Sequence, residues 1–223
     1  MGIIKNLKEE VRIIRERDPA IHSSMEVLLY PSFKVMIHYR LAHKLYVSGH
    51  YFWARYISQR GVRKTGIEIH PGAQIGKGFF IDHGNGVIIG ETTIIGDNVT
   101  LYQGVTLGGT GKEHGKRHPT IGNNVIIGSG AQVLGPIKIG NNAKIGSNAI
   151  VVKEVPANTT VIGMAAHKVQ ELSRKEAQKF CAYGIDASHP DPMEERFEKL
   201  CRELENVKKE LAELKKEKKN DAK

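Results

Sequence analysis

The chain has little cysteine, little aromatic character and no long apolar run. Two cysteines stand among its 223 residues, at 181 and 201. They are too few for a disulfide framework, and they lie far from the most regular stretch, so no Cys-rich metal site is expected. Phe, Trp and Tyr make up 6% of the residues. That scarcity matters because the net charge is +9, which taken alone suits a nucleic-acid binder. Single-strand binders interleave basic groups with aromatic stacking platforms, and no such stripe is present. Between 208 and 223, seven Lys against three Glu and one Asp supply +3 of the excess; the rest is scattered. The charge reads as serving solubility or a small anionic ligand. No window approaches the roughly 20 apolar residues that span a bilayer as a helix. Met1 to Arg17 is polar and amphipathic, not a charged head followed by an apolar run. A cytoplasmic protein with neither nucleic-acid nor membrane partners is the expectation.

What the chain does have is a count of six. From Ile69 to Val151 an aliphatic residue recurs every sixth position in three phased blocks. They are Ile69, Ile75 and Ile81; then Ile89, Ile95, Leu101 and Leu107; then Ile121, Ile127, Val133, Ile139, Ile145 and Val151. Gly directly follows 8 of these 13 positions, which places close turns in phase with the aliphatics. A second small or branched residue sits four places on, as in Ala73, Thr93, Val99, Val105, Val125, Ala131, Ala143 and Ala149. Neither a helix nor a simple strand alternation has this period. A hexapeptide solenoid does, with short flat strands and one inward aliphatic per strand. Asn123-Asn124 and Asn141-Asn142 supply corner residues that tolerate positive φ.

The count fails twice. Ile81 to Ile89 is a step of 8, placing two extra residues within Asp82-His83-Gly84-Asn85-Gly86. Leu107 to Ile121 is a step of 14, so eight extra residues leave the wall as a loop. Insertions in a solenoid go to its surface and carry function. Both are rich in groups that do chemistry. Histidine, the residue type at 83, is the side chain suited to proton transfer near neutrality. Glu68, about one coil earlier, is placed to fix the imidazole's tautomer. Arg117 offers a planar fork to a carboxylate. Asp18 and Asp82 suit an ammonium. The run Gly108-Gly109-Thr110-Gly111 lets backbone N–H groups approach a ligand. Each alone has a plain structural counterpart, such as a histidine beside a turn.

The flanks read as follows. Ile3, Leu7, Val11 and Ile14 predict an amphipathic helix ended by Asp18-Pro19. Ser23 or Ser24 offers an N-cap before a short apolar stretch, Met25 to Tyr30. Phe33–Val47 and Tyr51–Val62 predict two further helices with Ser48-Gly49 between them. They are placed to cap the open end of the solenoid, with Trp53 and the tyrosines packed together or against it. Beyond Val151, Thr159 to Val161 predicts a last strand, and Leu172 to Phe180 is weakly helical. Met193, Phe197, Leu200, Leu204, Val207, Leu211 and Leu214 alternate spacings of four and three. That is an a/d seam of about three heptads, fit for self-association, the alternative being a single surface helix.

The stretch Gly66-Ile67-Glu68-Ile69-His70-Pro71-Gly72-Ala73 resembles the bacterial serine O-acetyltransferases, within the hexapeptide-repeat acyltransferases. So do Phe80-Ile81-Asp82-His83-Gly84, Ile89-Gly90-Glu91-Thr92, Gln103-Gly104-Val105-Thr106-Leu107-Gly108-Gly109-Thr110-Gly111, Arg117-His118-Pro119 and Asp18-Pro19-Ala20. The resemblance implies an α+β chain: an N-terminal helical cap (1–65), then a left-handed parallel β-helix (66–162). A tail (163–192) and a C-terminal helix, read as a coiled coil (193–219), complete the domains. It implies a homotrimer with sites between neighbouring subunits, a hexamer being the form of members with long N-terminal extensions. It implies acetyl transfer from acetyl-CoA, a co-substrate and not a bound cofactor, to the L-serine hydroxyl, the first step of cysteine synthesis. His83 matches the family's general base, and Glu68 its partner carboxylate, where many members have Asp. Asp18 and Asp82 match serine-binding acids; Arg117 and His118 match the pair that holds the serine carboxylate. Gly109 matches a backbone N–H near the thioester. Gly130 and Lys144 match the CoA groove, with Ser129 and Ser147 replacing small residues there. Glu91 matches a support for the loop's Arg.

The chain ends Asn220-Asp221-Ala222-Lys223 and not in the Ile-terminated tail by which some members dock into the cysteine synthase. A stable complex with that enzyme is therefore not expected. Two rivals remain at this level. One is a hexapeptide acetyltransferase for another hydroxyl or amino acceptor. The other is a trimeric β-helix zinc hydratase drawing on His70, His83, His114 and His118.

Overall fold

The computed structural model describes residues 3–23 (backbone alone for 3–9), 25–111, 115–163, 197 and 199–210. The chain divides into two compact units, Met1–Met164 and Ala165–Lys223. In the first, helix α1 (Ile3–Arg17) leads through a 3-10 turn (Glu26–Leu29) to α2 (Pro31–Val47) and α3 (Tyr51–Thr65). Pro31 opens α2 where its missing N–H costs nothing. Gly66, at φ 69, ends α3 three residues later than the sequence predicts. The short stretch before α2 is a 3-10 turn whose N-cap is Met25, not a serine. Ser23 instead accepts the Met25 N–H at 3.2 Å.

Fourteen strands of two or three residues follow. They are β1 (Glu68–Ile69), β2 (Gln74–Ile75), β3 (Phe80–Ile81), β4 (Ile88–Ile89), β5 (Ile94–Ile95), β6 (Thr100–Leu101) and β7 (Thr106–Gly108). Then come β8 (Thr120–Ile121), β9 (Ile126–Ile127), β10 (Gln132–Leu134), β11 (Lys138–Ile139), β12 (Lys144–Ile145), β13 (Ile150–Val151) and β14 (Thr160–Val161). Each strand pairs in parallel with the one three places on, except that β12 pairs with β14, giving three sheets. The first face is β1-β4-β7-β10-β13, the second β2-β5-β8-β11, and the third β3-β6-β9-β12-β14. This is the parallel β-helix that a hexad period requires. On the first face Glu68 pairs with Ile88, Ile88 with Thr106, Thr106 with Gln132, and Gln132 with Ile150. The steps are 20, 18, 26 and 18, so the two- and eight-residue insertions leave the wall without disturbing the register above them.

The phased aliphatics form the core. Ile89, Leu101, Leu107, Ile121, Ile127, Val133 and Ile139 are buried, as are all eight of the second, smaller positions. Glycine follows the aliphatic for a steric reason: a Cβ at Gly76, Gly96 or Gly122 would stand about 2.5 Å or less from the Oδ1 of Asp97, Asn123 or Asn141 in the next coil. Those oxygens accept the N–H groups of Lys77, Asp97 and Asn123 at 2.7–2.8 Å. Beside them, Asn98, Asn124, Asn142 and Asn158 all hold positive φ and bond side chain to side chain up the stack. One corner is thus a double column of Asx side chains.

The cap closes the helix, but not through Trp53. Val35, Met36 and Tyr39 of α2 enter the solenoid core. The Tyr39 hydroxyl donates to Ala73 O at 2.7 Å, and Ser58 of α3 to Ile69 O at 2.9 Å. Burial pushes the Tyr39 phenol up to about 12. Trp53 instead meets Phe52 and Tyr56 edge-on at an exposed surface. Against the third face, Ile13 and Ile14 of α1 pack with Val27, Phe33 and the outward Phe80. Arg40 of α2 pairs with the buried Glu10, whose carboxyl burial raises despite that partner.

In the second unit, residues 199–210 are helical, and Phe197, Leu200, Leu204 and Val207 are exposed. Met193, Leu211 and Leu214 of the seam, and the expected 172–180 helix, lie outside the described residues, as does the 163–192 tail beyond Gly163. No described helix is long and apolar enough to cross a membrane.

Candidate active site

Two groups of candidate residues assemble, at opposite edges of the first face. The edge where the third face turns into the first carries Asp82 and His83. Asp82 N–H still bonds Leu101 O of the wall, at 2.8 Å. One residue later the chain leaves it: Gly84 N–H returns to Asp82 O at 2.7 Å, with His83 between them at φ 58. Such backbone costs energy for a residue with a side chain and clusters at functional sites. It throws the imidazole outward, where it is 77% exposed, with Nε2 3.9 Å from Asp82 Oδ1. The end of α1 reaches the same edge. Arg17 donates to Thr100 Oγ1 at 2.7 Å, and Asp18 follows it. Asp18 accepts the Tyr30 hydroxyl at 2.6 Å and the Ala20 N–H at 2.8 Å. These two bonds, the tyrosine's first, hold its carboxyl below the usual range, and His83 adds in the same direction. The same bond pushes the Tyr30 phenol up to about 12. Alongside runs a cleft of about 520 Å³ bordered by Arg17, Asp82, Asn98, Thr100 and Tyr102.

Glu68 does not complete a His–carboxylate pair. It lies outward on β1, and no side-chain hydrogen bond joins it to His83; Asp82 is the carboxylate beside the imidazole.

Above His83 the same edge continues as a column. Gly104 N–H bonds Asn85 O, Gly130 N–H bonds Gln103 O, and Asn148 N–H bonds Ser129 O, at 2.8–2.9 Å. Ser129, Gly130 and Ser147 are therefore stacked in line with His83, with Ser129 Oγ donating to Ser147 Oγ at 3.1 Å. Lys144 is exposed one strand away on the third face. Gly109 belongs with none of these.

Gly109 lies at the other edge, where the first face turns into the second. There the long loop returns through Arg117 and His118 onto Glu91-Thr92. Arg117 Nη2 is paired with Glu91 Oε2, and Glu91 Oε1 accepts the Tyr46 hydroxyl at 2.8 Å. Tyr46 and Arg117 together hold the Glu91 carboxyl below its usual range. Thr92 is the hub. Its Oγ1 accepts Arg117 N–H at 3.0 Å and His118 N–H at 3.1 Å. Its own N–H donates to His118 Nδ1 at 3.1 Å. With Nδ1 an acceptor, the proton sits on Nε2 and the ring is neutral. Burial, then Arg117, lowers the His118 pKa in keeping with this. The ring packs directly on Gly90: a Cβ there would stand 2.0 Å from His118 Cδ2. His70, beside Tyr46, likewise takes the Gly72 N–H on Nδ1 at 3.0 Å, and burial brings its pKa down to about 4.

Sequence reasoning missed Tyr30, Arg17, Tyr46, Thr92 and Lys116. Tyr30 and Tyr46 act from the cap, and no local pattern tells which coil residue a helix side chain will meet. Among the described residues no three His, Cys, Asp or Glu side chains are grouped to hold a metal, and His114 lies outside those residues.

Residues 118–153 match the family model described as bacterial transferase hexapeptide (six repeats). The serine acetyltransferase of Staphylococcus epidermidis is 49% identical over 207 residues, covering 92% of this chain and 95% of that protein. This chain belongs to the serine acetyltransferase family. The Staphylococcus aureus serine acetyltransferase is also 49% identical, over 210 residues, 93% of this chain and 95% of the relative. Two solved members of the family carry ligands. The Neisseria gonorrhoeae serine acetyltransferase in complex with serine matches at TM-score 0.69 and 40% identity, over 74% of this chain and 68% of its own. The Brucella abortus enzyme in complex with coenzyme A matches at TM-score 0.70 and 41% identity, over 76% and 68%. With family membership goes the left-handed parallel β-helix, and the chain is an acyltransferase.

Proposed function

We propose that the chain transfers the acetyl group of acetyl-CoA to the side-chain hydroxyl of L-serine, in the cytoplasm, giving O-acetyl-L-serine and CoA. The observation that carries this reading is the trio Asp18, Asp82 and His83 at one edge. Two carboxylates there, one kept charged by Tyr30, are fitted to an ammonium beside an outward-thrown imidazole. Arg117, held by Glu91, supplies the complementary fork for a carboxylate.

His83 takes the proton from serine Oγ as that oxygen attacks the thioester carbonyl. The tetrahedral intermediate collapses, the C–S bond breaks, and the proton passes from the imidazolium to the CoA thiolate. A thiolate leaves easily, so orientation supplies much of the rate, on the order of 7–11 kcal/mol at best, and the base about 10²–10⁴-fold. The column above His83 is the route assigned to CoA. At strand spacings of about 4.8 Å, Ser147 stands roughly 14 Å from the His83 level, a distance suited to an extended thioester arm.

His83 and Arg117 occupy opposite edges of one face, so one chain alone presents two half-sites. A closed threefold assembly would set one edge of each subunit against the other edge of its neighbour, bringing Asp18, Asp82 and His83 to the neighbour's Gly109, Arg117 and His118. A homotrimer is the assembly we propose, with the 193–219 seam as a further contact. The test is release of free thiol from acetyl-CoA with and without L-serine. Serine-dependent release supports the reading, and release equal in its absence overturns it.

A further inference from the structure

The loop that carries Arg117 and His118 also carries Lys116, for which the reaction has no use. Among the described residues its ammonium makes no ion pair. Instead it donates to three main-chain oxygens: Thr92 O at 2.7 Å, Pro119 O at 3.1 Å and His118 O. Partial burial lowers its pKa. A lysine on a surface loop ordinarily keeps its head hydrated. One that gives up hydration for carbonyls needs several of them converging, and an ammonium has three donors.

The three carbonyls are not scattered. Thr92 belongs to the corner after β4; His118 and Pro119 belong to the loop's return before β8. Lys116 therefore ties the loop to the corner from one side. The Thr92 side chain ties it from the other, through the Arg117 and His118 N–H groups. Between the two ties stand the guanidinium and ring assigned to the serine carboxylate.

We propose that Lys116 is a positioning residue of the acceptor site, its ammonium binding the Thr92, His118 and Pro119 carbonyls so that Arg117 and His118 stand where serine meets them. The inference rests on the proposed function. It concerns the edge that carries Arg117 and His118; the column assigned to CoA, Gly109 apart, lies at the opposite edge of the chain.

Lys116→Met keeps the stem and removes the donors. Loss of bonds to a charged group is expected to raise the KM for L-serine roughly tenfold or more, with turnover at saturating serine and the KM for acetyl-CoA within about threefold of wild type. Lys116→Cys treated with 2-bromoethylamine restores an ammonium at nearly the same reach and is expected to recover most of the serine KM. Wild type treated alike controls for Cys181 and Cys201. An unchanged serine KM in Lys116→Met overturns the proposal. So does a loss spread equally over kcat and both KM values that aminoethylation does not reverse. A wild type with no serine-dependent turnover overturns the functional reading itself, and is told apart because it is seen before any variant is made.

Discussion

His83 owes its exposure to its backbone: at φ 58 the residue is turned off the wall that its neighbour Asp82 still bonds. Because the ring is 77% exposed, His83→Ala is expected to cut turnover at least about 100-fold while leaving the melting temperature and the assembled mass unchanged. Near-full activity in that variant would remove His83 from the base's role. His70 and His118 behave in the opposite way, the first half-buried and the second buried, both with lowered pKa. His70 titrates near 4 in place of its usual 6.5. Between those values the unfolded chain binds a proton that the folded protein does not, so stability rises with pH across the window and is lost as pH falls through it. His118, also lowered, adds with the same sign. His70→Asn retains an acceptor for the Gly72 N–H, and its melting temperature is expected to fall less than wild type's between about pH 6.5 and 4.5. At this scale residue types were legible in the sequence and their contacts were not. Asp18 and Asp82 lie beside His83, but no hydrogen bond joins Glu68 to it, because one outward strand position does not determine which way a side chain leans. His118 is held by Thr92 and laid over Gly90, contacts that depend on two loops meeting.

The element that sets everything in place is the corner. Asn142 combines positive φ with two side-chain bonds in the column, from Asn124 and to Asn158. Asn142→Gly loses the bonds and keeps the permitted backbone. Asn142→Ala loses both and is expected to be less stable than the glycine variant by about 1 kcal/mol, measured by chemical denaturation. At the corner after β4, Gly90→Ala puts a methyl where the His118 ring lies. The ring must leave, and kcat/KM for serine is expected to fall about tenfold or more while kcat/KM for acetyl-CoA holds. If both fall together, the ring's seat does not govern the acceptor. The coils themselves were readable because period six belongs to one architecture, and each break in the count became a register step of 20 or 26. The cap was readable as helices but not as contacts. Periodicity shows which face of α2 is apolar, and it does not show that Tyr39 and Tyr46 cross to the coils while Trp53 stays outside.

For the whole molecule, the two half-sites make a prediction that neither residue makes alone. Mixed and reassembled, the inactive His83→Ala and Arg117→Ala chains are expected to regain activity, since some neighbouring pairs then join an intact His83 edge to an intact Arg117 edge. Random mixing restores about a quarter of the sites of a closed ring; no recovery in demonstrably mixed assemblies would place both residues' work within one chain. The coil length of 18 carries one more consequence, for how such a gene can change. Loss of 18 codons in phase removes a whole storey and lowers what stands above it without turning it. Loss of six instead rotates every later residue by a third of a turn, carrying the return of the Arg117 loop to a different edge of the prism. Heredity at this locus is therefore far more tolerant of one kind of deletion than of another a third its size.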